Sequence, residues 1–196
     1  MTVAVLLVPL LTALVLAFLR PGATARSLAL LATFATFVFS LLLAGDPGVS
    51  VPWLPGLGIS FTLDPAGAAS VLVVTAALVM IGAVLWASRQ VLDRQNSFLA
   101  LLLAMQGFLN GIFMAKDLVL FYVFWEATLI PSLFMLAGWG LSRRREATGK
   151  YLIYAVTGSF LMLITILAIR PLSGAESYLL ADLVAATPDL PLGTQL

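Results

Sequence analysis

Six long apolar stretches constrain the fold of this chain more than any other feature of its sequence. They lie at residues 3–19, 28–44, 66–87, 98–115, 118–138 and 151–169. Each is close to the roughly 17–25 residues that span a bilayer as a helix. Hydrocarbon offers no partner to a backbone N–H or C=O, so each stretch must bond its own backbone, as an α-helix does. The sequence therefore predicts an all-α, polytopic protein with about six transmembrane helices, in a single membrane domain over residues 1–196.

Composition excludes the soluble classes. Hydrophobic residues make up 62% of the chain and charged residues 10%, with a mean hydropathy of +1.11. Soluble domains average about 45–50% apolar and 25% charged residues, so lipid must cover much of this surface. No basic stripe suggests nucleic acid as a partner. Cysteine and histidine are both absent. Iron–sulfur clusters and zinc depend on these residues, as haem usually does, so we expect no redox cofactor on this chain.

Polar residues between the apolar stretches predict the helix ends. Asp64, followed by Pro65, is suited to begin the third helix, and Asp117 to cap the fifth. The segment at 45–63 is rich in proline and glycine and contains Trp53, a residue type common at membrane interfaces. We expect an ordered loop there, near the headgroups. The first stretch lacks a basic segment before it, which favours a retained helix over a cleaved signal peptide.

The distribution of lysine and arginine predicts the orientation. Two of these residues fall on one side of the predicted bundle, Lys116 and Arg170, and eight on the other: Arg20, Arg26, Arg89, Arg94, Arg143, Arg144, Arg145 and Lys150. Basic loops remain in the cytoplasm, so the second side is expected to face inward. The N-terminus, the loop at 45–63 and the tail at 170–196 would then lie outside.

Glu126 is the one acidic residue expected deep in the membrane. It follows Asp117 by nine residues, which corresponds to about 13 Å along a helix. An ionised carboxylate near the middle of the bilayer costs at least a few kcal/mol, so we expect a protonated carboxyl until a cation or a water chain approaches. That behaviour suits a proton relay. The alternative is a protonated acid that only bonds a neighbouring helix.

Two further features have a structural and a functional interpretation. Pro131 cannot donate to the carbonyl of Ala127, next to Glu126, which would either hold water there or merely kink the helix. Gln106 and Asn110 share one face of the fourth helix, beside the closely spaced Gly107 and Gly111. This pattern favours close helix packing over a polar site. Hydroxyls on the sixth helix, such as that of Ser159, are expected to bond their own backbone.

The fifth helix carries a resemblance to a known family. Its aromatic-rich run from Asp117 ends in Glu126-Ala127 and Leu129-Ile130-Pro131, and Trp139-Gly140 and a run of three arginines follow. Lys150 to Tyr154 and the pair Gly158-Ser159 extend the pattern. This pattern resembles the M chain of bacterial proton-translocating NADH:quinone oxidoreductase, respiratory complex I, the counterpart of mitochondrial NADH dehydrogenase subunit 4.

The resemblance implies a fold, a function and a set of partners. The six helices would be the N-terminal part of an antiporter-like fold of about fourteen helices, and Glu126 would match the glutamate of the proton channel. Its basic partner, a lysine on the seventh helix, would lie after residue 196. NAD, flavin, iron–sulfur and quinone sites would belong to other subunits. The chain would reside with other membrane subunits of complex I in the lipid bilayer of the bacterial inner membrane.

Two alternatives remain open at this point. A subunit of a multisubunit cation/proton antiporter would share the fold and a glutamate on the fifth helix. A membrane anchor or assembly subunit would have no transport role, and its Glu126 would affect assembly alone.

Overall fold

The structure is a computed structural model that describes residues 1–186. Its helices are α1 (Thr2–Phe18), α2 (Ala23–Leu41), α3 (Ala68–Gln90), α4 (Gln95–Met114), α5 (Leu118–Trp139), α6 (Arg144–Ser173) and the short α7 (Leu180–Ala186). By length and composition, α2 to α6 can each cross a membrane, and α1 is a shorter apolar helix. The all-α membrane fold predicted from the sequence is thereby confirmed. The last ten residues of the predicted tail at 170–196 lie outside the described residues.

The largest difference from the predicted bounds is at α6, which runs from Arg144 to Ser173 rather than over 151–169. Its polar first turns remain helical because Glu146 pairs with Arg143 at 2.6 Å and with Lys150 at 2.7 Å. Charged pairs at these spacings support a helix where it leaves the hydrocarbon. Hydropathy therefore located the membrane-crossing part of α6 but not the helix ends.

One predicted helix cap is confirmed and one is wrong. Asp117 accepts bonds from the backbone N–H groups of Val119 (2.9 Å) and Leu120 (3.2 Å) at the start of α5. Asp64 instead forms a tight turn, in which its carboxylate accepts from the N–H of Ala66 at 2.8 Å. The helix α3 begins only at Ala68, because the intervening Gly67 adopts a left-handed conformation with φ +64°.

The segment between α2 and α3 contains a β-hairpin that the sequence did not predict. Its antiparallel strands are β1 (Val49–Leu54) and β2 (Ile59–Leu63). The connection uses Gly58 at φ +67°, where a Cβ would lie 2.8 Å from the Glu176 carbonyl oxygen. Ser60, the second residue of β2, donates its N–H to the Asp117 carboxylate at 2.8 Å. The hairpin is thus attached to the start of α5.

The helix ends on the side of the hairpin are joined by further polar contacts. The Met1 ammonium and the Thr2 hydroxyl bond the Asp46 carboxylate and hold its pKa well below the usual range. In the last turn of α6, the Arg170 guanidinium donates to the Leu57 carbonyl at 2.6 Å and lies over the Tyr178 ring. The hairpin and the segment before α7 therefore cover the first residues of α5 and the last residues of α6.

The helix α4 occupies the centre of the bundle and packs against α1, α3 and α5. Two apolar clusters meet along it, one around Leu99 and Leu103 and the other around Met114. In the most apolar 18-residue stretch of α4, 61% of the residues are buried, against 11% in the corresponding stretch of α6. Among the helices described, α6 packs mainly against α5, so one long side of α5 and α6 remains open.

Candidate functional site

Glu126 lies on α5, eight residues after the first residue of that helix, and its side chain is half-buried at the α5–α6 interface. The Ser159 hydroxyl of α6 donates to Glu126 Oε1. Ser159 is itself buried, with 5% of its surface exposed. The two residues lie close to the middle of their helices. A carboxyl group at this depth thus has a hydroxyl partner within the protein.

A tyrosine extends this contact toward the hairpin end of the bundle. The Tyr122 hydroxyl lies 3.2 Å from Ser159 Oγ. Tyr122 precedes Glu126 by one helical turn, which places it about 6 Å nearer the hairpin. Hydroxyl groups both donate and accept hydrogen bonds, so Tyr122, Ser159 and Glu126 form a short continuous polar line.

A groove opens on the other side of Glu126. It has a volume of about 460 Å³ between α5 and α6 and is lined by Glu126, Ala127, Tyr151 and mostly apolar side chains. At its far side the Tyr151 hydroxyl lies 2.8 Å from Ser132 Oγ. Ser132 follows Glu126 by six residues, about 9 Å toward the basic end of the bundle. Hydroxyl groups therefore lie on both sides of the carboxyl group.

Pro131 and Ala127 lie beside this groove. Pro131 is buried within α5, and its ring nitrogen has no hydrogen to donate to the Ala127 carbonyl. Within residues 1–186, no side chain donates to that carbonyl. A half-buried backbone acceptor thus lies next to Glu126 where the groove can admit water.

Among the described residues, the surroundings of Glu126 hold neither a cation nor a metal-binding cluster. Over the described range 1–186, the ion pairs lie at the helix ends and leave Glu126 without one. The same range contains no cluster of three residues suited to bind a metal.

Sequence reasoning placed Glu126 correctly in the middle of a helix but missed its partners. Ser159 was expected to bond its own helix, as Thr157 and Thr165 indeed do, to the carbonyls of Ile153 and Leu161. Its position halfway along α6 matches the depth of Glu126 on α5. This equal depth in two consecutive helices is the signal that could have indicated the contact.

Gln106 and Asn110, the other polar pair, are fully buried on α4. The Asn110 amide donates to the Val5 carbonyl of α1 at 3.0 Å. That carbonyl is free because Pro9, four residues later, cannot donate to it. A Cβ on Gly107 would lie 2.5 Å from the Leu10 side chain, so the two helices are in close contact. The predicted helix packing is confirmed.

Both amide atoms of Gln106, by contrast, have no hydrogen-bond partner among the described residues. The same is true of Asn110 Oδ1. These atoms lie in the bundle centre rather than beside Glu126. Gln106 and Asn110 thus form a polar site distinct from the α5–α6 site.

The chain is similar to known proteins over most of its length. A family model for the transmembrane region of NADH:quinone oxidoreductases and Mrp antiporters matches residues 115–188. The NADH-quinone oxidoreductase subunit 13 of Thermus thermophilus is 37% identical over 82% of this chain and 34% of its own length. The F(420)H(2) dehydrogenase subunit M of Methanosarcina mazei is 33% identical, again over 82% and 34%. The chain thus spans about a third of these relatives' length.

A solved structure agrees with these matches. In respiratory complex I from Thermus thermophilus with bound NADH, one chain superposes with a TM-score of 0.84 and 34% identity, over 95% of this chain and 39% of that one. Sequence similarity and fold therefore identify the same group of proteins. This integral membrane protein belongs to the NADH:quinone oxidoreductase and Mrp antiporter family of membrane subunits.

Proposed function

We propose that this chain is part of a proton-translocating membrane subunit of an NADH:quinone oxidoreductase, with Glu126 as the group that takes up and releases the proton. The observation that carries the proposal is the position of Glu126, halfway along a membrane-spanning helix, between the Ser159 hydroxyl and an open groove. Ionisable groups at such depth are costly and mark proton or ion pathways.

The proposed path follows the polar groups on both sides of the carboxyl group. Tyr122 and Ser159 pass a proton between the outer end and Glu126, because each hydroxyl can donate one hydrogen bond while accepting another. On the inner side, water in the groove links Glu126 to the hydroxyls of Tyr151 and Ser132. The Ala127 carbonyl, freed by Pro131, provides one of the acceptors that hold this water.

Charge controls the direction of transfer. An approaching cation favours the Glu126 carboxylate and releases its proton, whereas its withdrawal favours the protonated form. The described residues provide no such cation, so it belongs to a segment or subunit that packs over the groove. NAD, flavin, iron–sulfur and quinone chemistry belongs to other subunits, and redox steps there move the cation. We place the chain in a bacterial inner membrane, with its N-terminus outside because of the basic residues at the opposite end.

The test is proton pumping in membrane vesicles that carry the Glu126→Gln variant in the assembled complex. Glutamine keeps the size and hydrogen bonds of the acid but cannot release a proton. We expect pumping to fall at least tenfold while electron transfer and complex assembly continue. Glu176→Gln, the same change at an exposed glutamate whose side chain makes no bond within residues 1–186, is the control and should pump normally. Normal pumping with Glu126→Gln would refute the proposed role, and loss of assembly would favour an anchor subunit.

A second pair of variants tests the path beside Glu126. Ser159→Ala removes the hydroxyl that bonds Glu126, whereas Thr157→Val removes one that bonds only the Ile153 carbonyl of its own helix. Pumping should fall in the first variant and remain unchanged in the second. Equal effects would mean that α6 hydroxyls act through helix stability rather than through the proton path.

Cation/proton antiport is the second candidate function, because the matching family includes Mrp antiporters. The same vesicles distinguish the two candidates. Proton movement that requires sodium on the opposite side, without electron transfer, would favour the antiporter. Proton movement driven by electron transfer in sodium-free buffer would favour the oxidoreductase subunit.

A further inference from the structure

A cleft of about 630 Å³ opens at the basic end of the bundle, between α1, α4, α5 and the start of α6. The residues that line it change from charged to apolar along the helix axis. Arg94, Arg144 and Arg145 line it at the helix ends, whereas Leu101 and Phe134 line it deeper in the bundle. Phe134 precedes the end of α5 by five residues, about 7.5 Å of helix. The cleft is therefore charged at one end and apolar at the other.

The charge at this end is not balanced. Five basic residues lie on the two segments that border the cleft (Arg94, Arg143, Arg144, Arg145 and Lys150), against two acidic ones, Asp93 and Glu146. Glu146 already pairs with Arg143 and Lys150, outside the cleft lining. Among residues 1–186, the Arg145 guanidinium forms no hydrogen bond or ion pair. Arg94 pairs with Asp93 at 3.4 Å, whereas the described residues leave the Arg144 and Arg145 guanidinium groups without an anion.

The opening of the cleft is also held in shape. Trp139 donates from its indole N–H to the Asp93 carbonyl at 3.0 Å and packs edge-on against Phe98. The Arg94 guanidinium lies over the Trp139 ring, 4.8 Å from its centre. Arg94 and Arg144 both donate to the Gly138 carbonyl, at 3.3 and 3.0 Å. The guanidinium groups of Arg94 and Arg144 are therefore positioned before any ligand arrives, and that of Arg145 is left to bind one.

We propose that this cleft binds an anionic phospholipid from the surrounding membrane. Arginine binds phosphate oxygens in a bidentate fashion, and basic pockets between transmembrane helices recognise lipid headgroups. Arg144 and Arg145 hold the phosphate, with Arg94 and Trp139 at the headgroup level. The first part of an acyl chain lies along Leu101 and Phe134. This lipid site is separate from Glu126 and is independent of the proposed proton transfer.

The apolar part of the cleft distinguishes a lipid from a free anion. Inorganic phosphate would use the arginines alone and gain nothing from Phe134. A phospholipid uses both ends, since its phosphate and its acyl chains lie at the two depths that the cleft provides. The depth of the cleft and its change from charged to apolar lining therefore favour a lipid over a dissolved anion.

Native mass spectrometry of the full chain in a neutral detergent tests this assignment. The probes are dioleoyl phosphatidylglycerol, dioleoyl phosphatidylcholine and inorganic phosphate. We expect the anionic lipid to be retained at least tenfold better than phosphatidylcholine. Arg145→Gln should lower its apparent affinity about fivefold, the effect of one basic residue near an anionic lipid surface. Phe134→Ala should lower lipid retention without changing phosphate binding.

Two matched variants control for general charge effects. Arg143→Gln removes a neighbouring charge that does not line the cleft, and Arg89→Gln removes one from α3. Both should retain the anionic lipid within twofold of the unchanged chain, with equal helix content by circular dichroism. Equal retention of the two lipids, or equal losses in Arg143→Gln and Arg145→Gln, would overturn the site. Displacement of the lipid by millimolar phosphate, with Phe134→Ala unchanged, would show an anion site only.

Discussion

Pro9 and Pro131, two of the three prolines inside the described helices, each free a backbone carbonyl, and the two carbonyls have different surroundings. Pro9 on α1 frees the Val5 carbonyl, which the Asn110 amide bonds in the fully buried centre of the bundle. Pro131 on α5 frees the Ala127 carbonyl, which lies beside an open groove and next to Glu126. A carbonyl freed by proline is therefore hydrogen-bonded within the protein at one site and left accessible at the other.

This difference separates a region that stabilises the bundle from a region that fits the proposed transport role. Around α4, polar groups are enclosed and the helices approach closely at Gly107 and Gly111. Around α5 and α6, Glu126, Ala127 and Tyr151 line an accessible groove, and the hydroxyls of Ser159 and Ser132 bond to groups of this lining. Since a proton path needs water and exchangeable partners, the second region is the one that can provide it.

The largest expected effect is the loss of stability when a methyl group is added to a glycine of α4, compared with the same change in α6. A Cβ on Gly111 of α4 would lie 2.6 Å from the Phe124 ring, whereas one on Gly158 of α6 meets nothing within 4 Å. Gly111→Ala should cost about 3 kcal/mol of stability, because a buried ring must move. Gly158→Ala should be neutral or stabilising by about 0.5–1 kcal/mol, since alanine favours a helix. Unfolding by sodium dodecyl sulfate, followed by circular dichroism, measures both.

Equal losses of stability in Gly111→Ala and Gly158→Ala would contradict the difference in packing between the two regions. They would mean that α6 has a close neighbour on the side that the described residues leave open. The comparison is best made with the chain alone and again in the assembled complex, where such a neighbour would be present.

Some of this organisation was predictable because it depends on local sequence. The depth of Glu126 follows from counting residues after Asp117, and the Asp117 cap follows from the preference of aspartate for helix starts. The hairpin was missed because its strands are short and Pro52 and Trp53 indicate a loop in isolation. Its pairing depends on anchoring to Asp117, 57 residues after Ser60.

The contacts of the candidate site could not be predicted in the same way. The bond between Ser159 and Glu126 depends on how α5 and α6 are aligned, and hydropathy does not determine that alignment. The role of Asn110 depends on Pro9, which is distant along the chain. A residue pattern on one helix indicates that a polar face exists, whereas its partner is determined by packing between helices.

The second prediction tests whether Asn110 satisfies the carbonyl that Pro9 frees. Asn110→Ala should cost about 2 kcal/mol, because a buried carbonyl loses its partner. Alanine at position 9 supplies the missing N–H, so the same change should cost about 1 kcal/mol less in a Pro9→Ala background. A double-mutant cycle of unfolding free energies measures this coupling. Additive effects would show that Asn110 stabilises the bundle by some other contact.

The smallest expected effect concerns Gln106, whose amide atoms lack partners among the described residues. Leucine has a similar volume and no polar atom, so Gln106→Leu should stabilise the bundle by about 1 kcal/mol. Gln95, on the same helix, donates to the carbonyls of Val91 (2.7 Å) and Ser88 (3.0 Å). Gln95→Leu should therefore destabilise it by about the same amount. Opposite signs in the unfolding free energies would confirm that the bundle centre is dry. Destabilisation by both changes would mean that Gln106 is hydrated, and that water reaches the centre as well as the α5–α6 groove.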